Sequence, residues 1–259
     1  MEPEGEAKPA LRILARGLLM LQIKEIVKNF GGVHALRNVS FGVKKGEFVG
    51  LIGPNGSGKT TLFNVISGAY KPTSGHVIFE GHDITALTPN RICHAGITRT
   101  FQIPRPIKGM SILDNVLLGL VFGNAERPKK HVREAMKDEA EKLIDFVGLK
   151  LDKDAMPDKI TAVDLRKLEL AKALATKPRL LLADEILSGL NHDELGEAST
   201  VLKKIREEMG ITIIWVEHIL SVLMSLVDRV VVFDYGQLIA DGTPQSISND
   251  ASVLEAYLG

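Results

Sequence analysis

Apolar positions along this chain follow two rhythms, and their order predicts the architecture. Near-alternation at 21–27 (Leu-Gln-Ile-Lys-Glu-Ile-Val) and 39–43 (Val-Ser-Phe-Gly-Val) predicts two strands, with Gly31 and Gly32 turning the chain between them. Residues 76–79, followed by Glu80-Gly81, predict a further strand and turn. The apolar runs at 47–52, 179–183, 211–216 and 229–234 are too short for helices and read as strands buried on both faces. Helical patterns at 60–66, 193–209 and 219–226 alternate with them, which predicts a parallel sheet.

Residues 89–176 are mostly helical in pattern. Ser111 is placed as the N-cap of 111–118, and 130–147 carries Ala135, Leu143, Ile144 and Val147 on one face. The expectation is a helical subdomain at about 89–176 inserted into an α/β core that carries an antiparallel β subdomain. Tyr235-Gly236 predicts a hairpin into 237–242, and Thr243-Pro244 opens a terminal helical region.

Composition narrows the function classes. A chain of 259 residues that is 45% hydrophobic buries a substantial core, and 32 basic against 32 acidic residues leave no global field to attract nucleic acid. Cys93, the single cysteine, excludes an intrachain disulfide and a cysteine-rich zinc site. No apolar stretch approaches the ~20 residues of a membrane span, so any link to a membrane runs through another protein. Residues 1–19 lack a signal-peptide pattern and read as a loosely ordered extension to one domain at 20–259. Regular patterning begins just after Met20, an alternative start.

Chemistry enters at residues 53–60, Gly-Pro-Asn-Gly-Ser-Gly-Lys-Thr, which satisfy GxxxxGK[ST] at each fixed position, between a predicted strand and a predicted helix. Gly53, Gly56 and Gly58 let the backbone approach anionic oxygens, with Pro54, Asn55, Ser57 and Thr61 completing the cradle, and the helix N-terminus adds positive potential. Lys59 supplies a point charge for β- and γ-phosphates, and the Thr60 hydroxyl is placed to ligate Mg²⁺. The strand at 179–183 runs into Asp184-Glu185. Asp184 suits the Mg²⁺ shell and Glu185 suits a base for the attacking water.

With these motifs in order, residues 21–259 resemble the nucleotide-binding subunits of ATP-binding cassette (ABC) transporters. The resemblance implies ATP and Mg²⁺ as cofactors and assigns further residues. Gln102, in Arg-Thr-Phe-Gln, is similar to the Q-loop glutamine that senses Mg²⁺ and the γ-phosphate. His218 is similar to the switch histidine, Phe30 to the adenine-stacking aromatic, and 188–191 (Ser-Gly-Leu-Asn) to the D-loop that reaches the partner subunit. On residues alone, a lone histidine after a strand and a lone phenylalanine are more often structural.

One motif departs. The family's signature, Leu-Ser-Gly-Gly-Gln, corresponds to Ile-Thr-Ala-Val-Asp at 160–164, which keeps Thr161 and Asp164 but replaces both glycines with Ala162 and Val163. Thr161 and Asp164 also suit a capping box, and a β-branched Val163 is expected to restrict the backbone's approach to the partner's nucleotide, so that Val163→Gly raises turnover. Ile186 replaces a proline that often follows the family's glutamate, and Asn191 the more common aspartate.

Within the family, the stretches 30–36, 96–102, 168–176, 189–191 and 255–259 resemble the ATPases of branched-chain amino-acid importers. The resemblance implies a second ATP-binding subunit, two membrane permease subunits, an indirectly coupled solute-binding protein and a peripheral place on the cytoplasmic face of the cell membrane. Urea or amide importers, a lipid exporter and soluble ABC ATPases are the alternatives, with an ATP-binding scaffold as a third class.

Overall fold

A computed structural model of the protein describes residues 19–123 and 133–258. Residues 1–18 of the expected extension lie outside them. Leu19 does not belong to a loose segment: it opens β1 (Leu19–Phe30), opposite Lys44. β1 turns at Gly31 into the antiparallel β2 (Val33–Lys44). β4 (Ser74–Phe79) and β5 (His82–Asp83) complete a four-stranded sheet of order β2-β1-β4-β5, with β3 (Phe48–Ile52) given to a second sheet. Ile23 and Ile26 are three apart, which would place them on opposite faces of a regular strand. Both are buried because the register shifts between them, with Glu25 at φ 50.

The second sheet has six strands in the order β10-β9-β3-β8-β7-β6. β6 is Ile97–Arg99, β7 Leu180–Asp184, β8 Thr212–Val216, β9 Arg229–Asp234 and β10 Gln237–Gly242. All neighbours are parallel except the β9–β10 hairpin. β3, β7 and β8 are buried at each residue, which explains their unbroken apolar runs. Alternation still sorts their side chains: Phe48 and Ile52 join one core, where Phe48 meets Trp215, while Val49 and Leu51 join the other.

Helices α6 (His192–Glu207) and α7 (Leu220–Leu226) connect strands of this sheet, α1 (Lys59–Ile66) leads from β3 to β4 of the first sheet, and α8 (Pro244–Ser248) and α9 (Ala251–Leu258) follow β10. The stretch 89–176 is less helical than its pattern predicts. After α2 (Pro89–His94) comes β6, which pairs with β7 at the sheet edge and so belongs to the core. α3 (Ile112–Phe122), α4 (Arg133–Phe146) and α5 (Ala162–Ala175) pack against one another beyond it. On α4, Ala135 is exposed. The inner face is Ala140, Leu143 and Ile144, continued by Val147, the i, i+3, i+4, i+7 set of one helix stripe.

Candidate nucleotide site

The site forms where β3, β7 and β8 end, the carboxyl edge at which open α/β sheets bind ligands. Past β3 the backbone takes φ 148 at Gly53, where a Cβ would collide with the Phe233 carbonyl. At Gly58 (φ 106) a Cβ would come 2.8 Å from the Ala35 carbonyl of β2, so the antiparallel sheet presses on the loop. Gly58 caps α1 without a side chain, leaving the first N–H groups of the helix facing the loop. Ser57 and Lys59 are buried, Pro54 and Thr61 half-buried, and Asn55, Gly56 and Thr60 exposed.

Lys59 folds back over the loop, its Nζ donating to the carbonyls of Gly53 (2.7 Å) and Pro54 (2.8 Å). Burial lowers its pKa, and the charges of Glu185 and Asp184 oppose that shift.

Asp184 is 3% exposed at the end of β7. Its N–H donates to the Thr100 hydroxyl (3.0 Å), and Oδ2 accepts from Nη2 of Arg99 at 2.6 Å. The same guanidinium donates to Oδ1 of Asn64 on α1 at 2.6 Å and lies beside the Phe63 and Phe101 rings. Burial raises the Asp184 pKa and Arg99 works against it. Oδ1 of Asp184 and the Thr60 hydroxyl make no side-chain hydrogen bond among the described residues. Two hard oxygen donors beside a phosphate loop fit Mg²⁺, which takes few protein ligands and completes its shell with water and phosphate oxygens. Among the described residues no cluster of three His, Cys, Asp or Glu side chains forms a self-sufficient metal cage.

Glu185 follows in the left-handed region, at φ 47, and its N–H donates to the Val216 carbonyl at 2.9 Å. Such strain at a non-glycine residue persists only where its surroundings hold it. Nε2–H of His218 donates to Oε1 of Glu185 at 2.8 Å, and Nε2 of Gln102 donates to Oε2 at 2.5 Å. Gln102, Glu185 and His218, from three separate segments, therefore meet on one carboxylate.

The remaining expected residues lie at the margins. Phe30 is 42% exposed at the end of β1 and stands edge-on to Tyr70, centroids 5.2 Å apart, with Nζ of Lys28 at 4.8 Å from its ring. Tyr70 was not expected; only folding brings it to Phe30. Thr161 caps α5: its hydroxyl accepts from the Asp164 N–H (3.1 Å) and donates to Oδ2 of Asp164 (2.7 Å). This replaces the reciprocal capping box, in which the carboxylate would take the Thr161 N–H. The full box occurs instead at Asn191 and Glu194 on α6. No hydrogen bond among the described residues joins Thr161 or Asp164 to the Lys59 set.

The sequence also gave no sign of Arg99 or Glu217 as site residues. Arg99 precedes Gln102 by three, but its meaning depends on β6 lying beside β7. Glu217 is 2% exposed, and it accepts from the Leu187 N–H and its neighbour His218 N–H, each at 3.2 Å. Burial raises its pKa and those two bonds lower it.

The protein-family model described as "ABC transporter" matches residues 36–188, which hold the phosphate loop, Gln102, Asp184 and Glu185. The chain belongs to the ABC transporter family. As a cassette of this family it binds and hydrolyses ATP. A second model, "Branched-chain amino acid ATP-binding cassette transporter", matches 237–259 of this cassette. A probable branched-chain amino acid transport ATP-binding protein LivG from Archaeoglobus fulgidus is 38% identical over 250 residues, covering 93% of this chain and 95% of its own. The high-affinity LivG of Escherichia coli is 33% identical over 249 residues, covering 93% and 98%. Among solved structures, the ADP conformation of MJ1267, an ATP-binding cassette of an ABC transporter, superposes with a TM-score of 0.82 at 34% identity, covering 93% of this chain and 99% of that one. Among the described residues of this cassette no helix is long and apolar enough to cross a membrane.

Proposed function

We propose that this cassette powers a branched-chain amino-acid importer from the cytoplasmic face of the membrane. The convergence of Gln102 and His218 on the Glu185 carboxylate, beside Lys59 and Asp184, carries the catalytic part of this reading. The C-terminal match and the LivG-type relatives support the choice of solute.

In this reading Lys59 turns from the Gly53 and Pro54 carbonyls to the β- and γ-phosphate oxygens of ATP. The N–H groups over 53–61 hold the same oxygens, and Phe30, with Tyr70 against its edge, faces the adenine. Thr60, Asp184 and Gln102 would hold Mg²⁺, which when bound would neutralise charge on the phosphates. Glu185 accepts the proton of the attacking water. Its hydrogen bonds to His218 and Gln102 fix the direction of the accepting lone pair, and His218 lies within reach of the γ-phosphate.

Two cassettes face each other, so that Thr161 and Asp164 at the entrance of α5 approach the nucleotide held by the partner. A dimeric cassette bound to ADP and phosphate, 27% identical with a TM-score of 0.78, supports a paired arrangement. Closure is passed to two permease subunits near Gln102, and a solute-binding protein delivers cargo to the permeases.

Reconstitution with the permeases and the solute-binding protein tests the reading. Leucine, isoleucine or valine is expected to stimulate ATP hydrolysis. Stimulation by urea or short amides and not by these amino acids would overturn the choice of solute.

A further inference from the structure

Glu217 is a buried carboxylate that the mechanism above leaves unused. It follows β8 directly and sits between the two segments that carry the hydrolytic pair. Oε2 accepts the N–H of Leu187, two residues beyond Glu185, and Oε1 accepts the N–H of His218. Leu187 is fully buried in the core, so the first of these bonds has a fixed anchor.

Three links thus join the loop after β7 to the end of β8 and the residues that follow it. The Glu185 N–H meets the Val216 carbonyl at 2.9 Å, the Leu187 N–H meets Glu217 at 3.2 Å, and the His218 ring meets the Glu185 carboxylate at 2.8 Å. The first is backbone to backbone and needs no particular side chain at 217. The second is the only one of the three that depends on Glu217, and it closes a ring through Glu185, Leu187, Glu217 and His218. A carboxylate suits this position because both groups aimed at it are N–H donors, and an ionised carboxylate accepts at both oxygens.

We propose that Glu217 is a positioning residue for hydrolysis: its carboxylate ties the segment after Glu185 to the backbone of His218 and so sets the separation between the base and its histidine. The inference rests on the assignment of Glu185 and His218 as the hydrolytic pair. It also gives the 188–191 segment, which the family resemblance places toward the partner subunit, a mechanical link to His218 through the adjoining Leu187. A displacement of Leu187 moves the Glu217 carboxylate, and with it the histidine backbone.

Glu217→Gln tests the link, because an amide of the same shape turns one acceptor into a donor facing an N–H. In the transporter reconstituted with its permeases, Glu217→Gln is expected to lower kcat roughly tenfold or more while KM for ATP and nucleotide affinity stay within about twofold. Glu217→Asp keeps the charge but retracts the oxygens, so it is expected to fall between the wild type and Glu217→Gln. It also carries the test if the glutamine variant does not fold.

A cycle with His218→Ala, read by single-turnover hydrolysis, separates positioning from general structural damage. If Glu217 acts through His218, Glu217→Gln lowers the rate of His218→Ala by less than about twofold. Equal fold-losses with and without His218, or kcat within about twofold of wild type in both Glu217 variants, would overturn the proposal. Full turnover in His218→Ala would instead remove the hydrolytic pair itself, and the proposal with it.

Discussion

Nε2 of His218 lies 2.8 Å from Oε1 of Glu185, a residue 33 positions earlier in the chain. The opposite oxygen is held by Gln102, so the orientation of this carboxylate is set by two side chains from two other segments. Glu185→Gln preserves the shape but places an amide N–H₂ against one of two donors and removes the base. Turnover is expected to fall by at least about 10²-fold with nucleotide affinity retained. Lys59→Ala, by contrast, removes the charge nearest the phosphates and is expected to weaken both binding and turnover. ATPase assays paired with a fluorescent-nucleotide titration check the split. Glu185→Gln retaining half of wild-type turnover would remove the residue from its role as base.

The phosphate loop places different demands on two of its glycines. Gly53 combines φ 148 with a backbone carbonyl, that of Phe233, where a Cβ would stand; Gly56, at φ 79, has open space around it. Gly53→Ala is expected to destabilise the fold by more than about 2 kcal/mol, since the Phe233 carbonyl is part of the β9–β10 hairpin and cannot step aside. Gly56→Ala meets only the left-handed backbone cost, about 1 kcal/mol. Urea unfolding curves of the two variants give the comparison directly, and equal midpoints would contradict it.

At the altered signature Ala162, and not Val163, is the exposed position. Val163 is half-buried and lines a cavity of about 290 Å³ with Phe146, Leu170, Ile186 and Leu190, whereas Ala162 is exposed at the first turn of α5. Val163→Gly is expected to enlarge that cavity and cost about 1–2 kcal/mol without a gain in turnover. Ala162→Gly frees the exposed backbone at little cost and is expected to raise ATP turnover of the assembled transporter. Turnover raised by Val163→Gly and not by Ala162→Gly would reverse this assignment.

What could be read from the chain and what could not divide along physical lines. β3, β7, β8 and β9 are legible because strands buried on both faces must be continuous apolar runs, and the phosphate loop because its glycines and lysine are contiguous. β6 is invisible because Ile-Thr-Arg is too short to show a period; only pairing with β7 makes it a strand. Ala135 illustrates the limit of face assignment. An alanine fits either side of a helix, and the true stripe runs from Met136 through Ala140, Leu143 and Ile144. Arg99 and Glu217 were missed for a deeper reason: a charged residue declares itself as buried and functional only when its partners, distant in sequence, are in place.

Arg99 offers the sharpest test of such a partnership. Its guanidinium and the Asp184 carboxylate are 7% and 3% exposed and 2.6 Å apart, so removing either leaves the other as a buried, unpaired charge. Arg99→Ala is expected to destabilise the cassette by about 3 kcal/mol, more than Arg99→Lys, which keeps the charge but not the fork that also holds Asn64. Burial already raises the Asp184 pKa, and loss of Arg99 raises it further. A carboxyl whose folded pKa exceeds its unfolded value binds protons more readily when folded. Its stabilising contribution is therefore present at low pH and lost as pH rises through the folded pKa. The Arg99→Ala deficit should accordingly shrink on acidification and be largest near neutrality. Adding Asp184→Asn to Arg99→Ala removes the orphaned charge and is expected to recover most of the lost stability while leaving the cassette inactive. Chemical denaturation of the single and double variants decides it. A double variant no more stable than Arg99→Ala would mean that the arginine stabilises the fold through Asn64 and the Phe63 and Phe101 rings and not through Asp184.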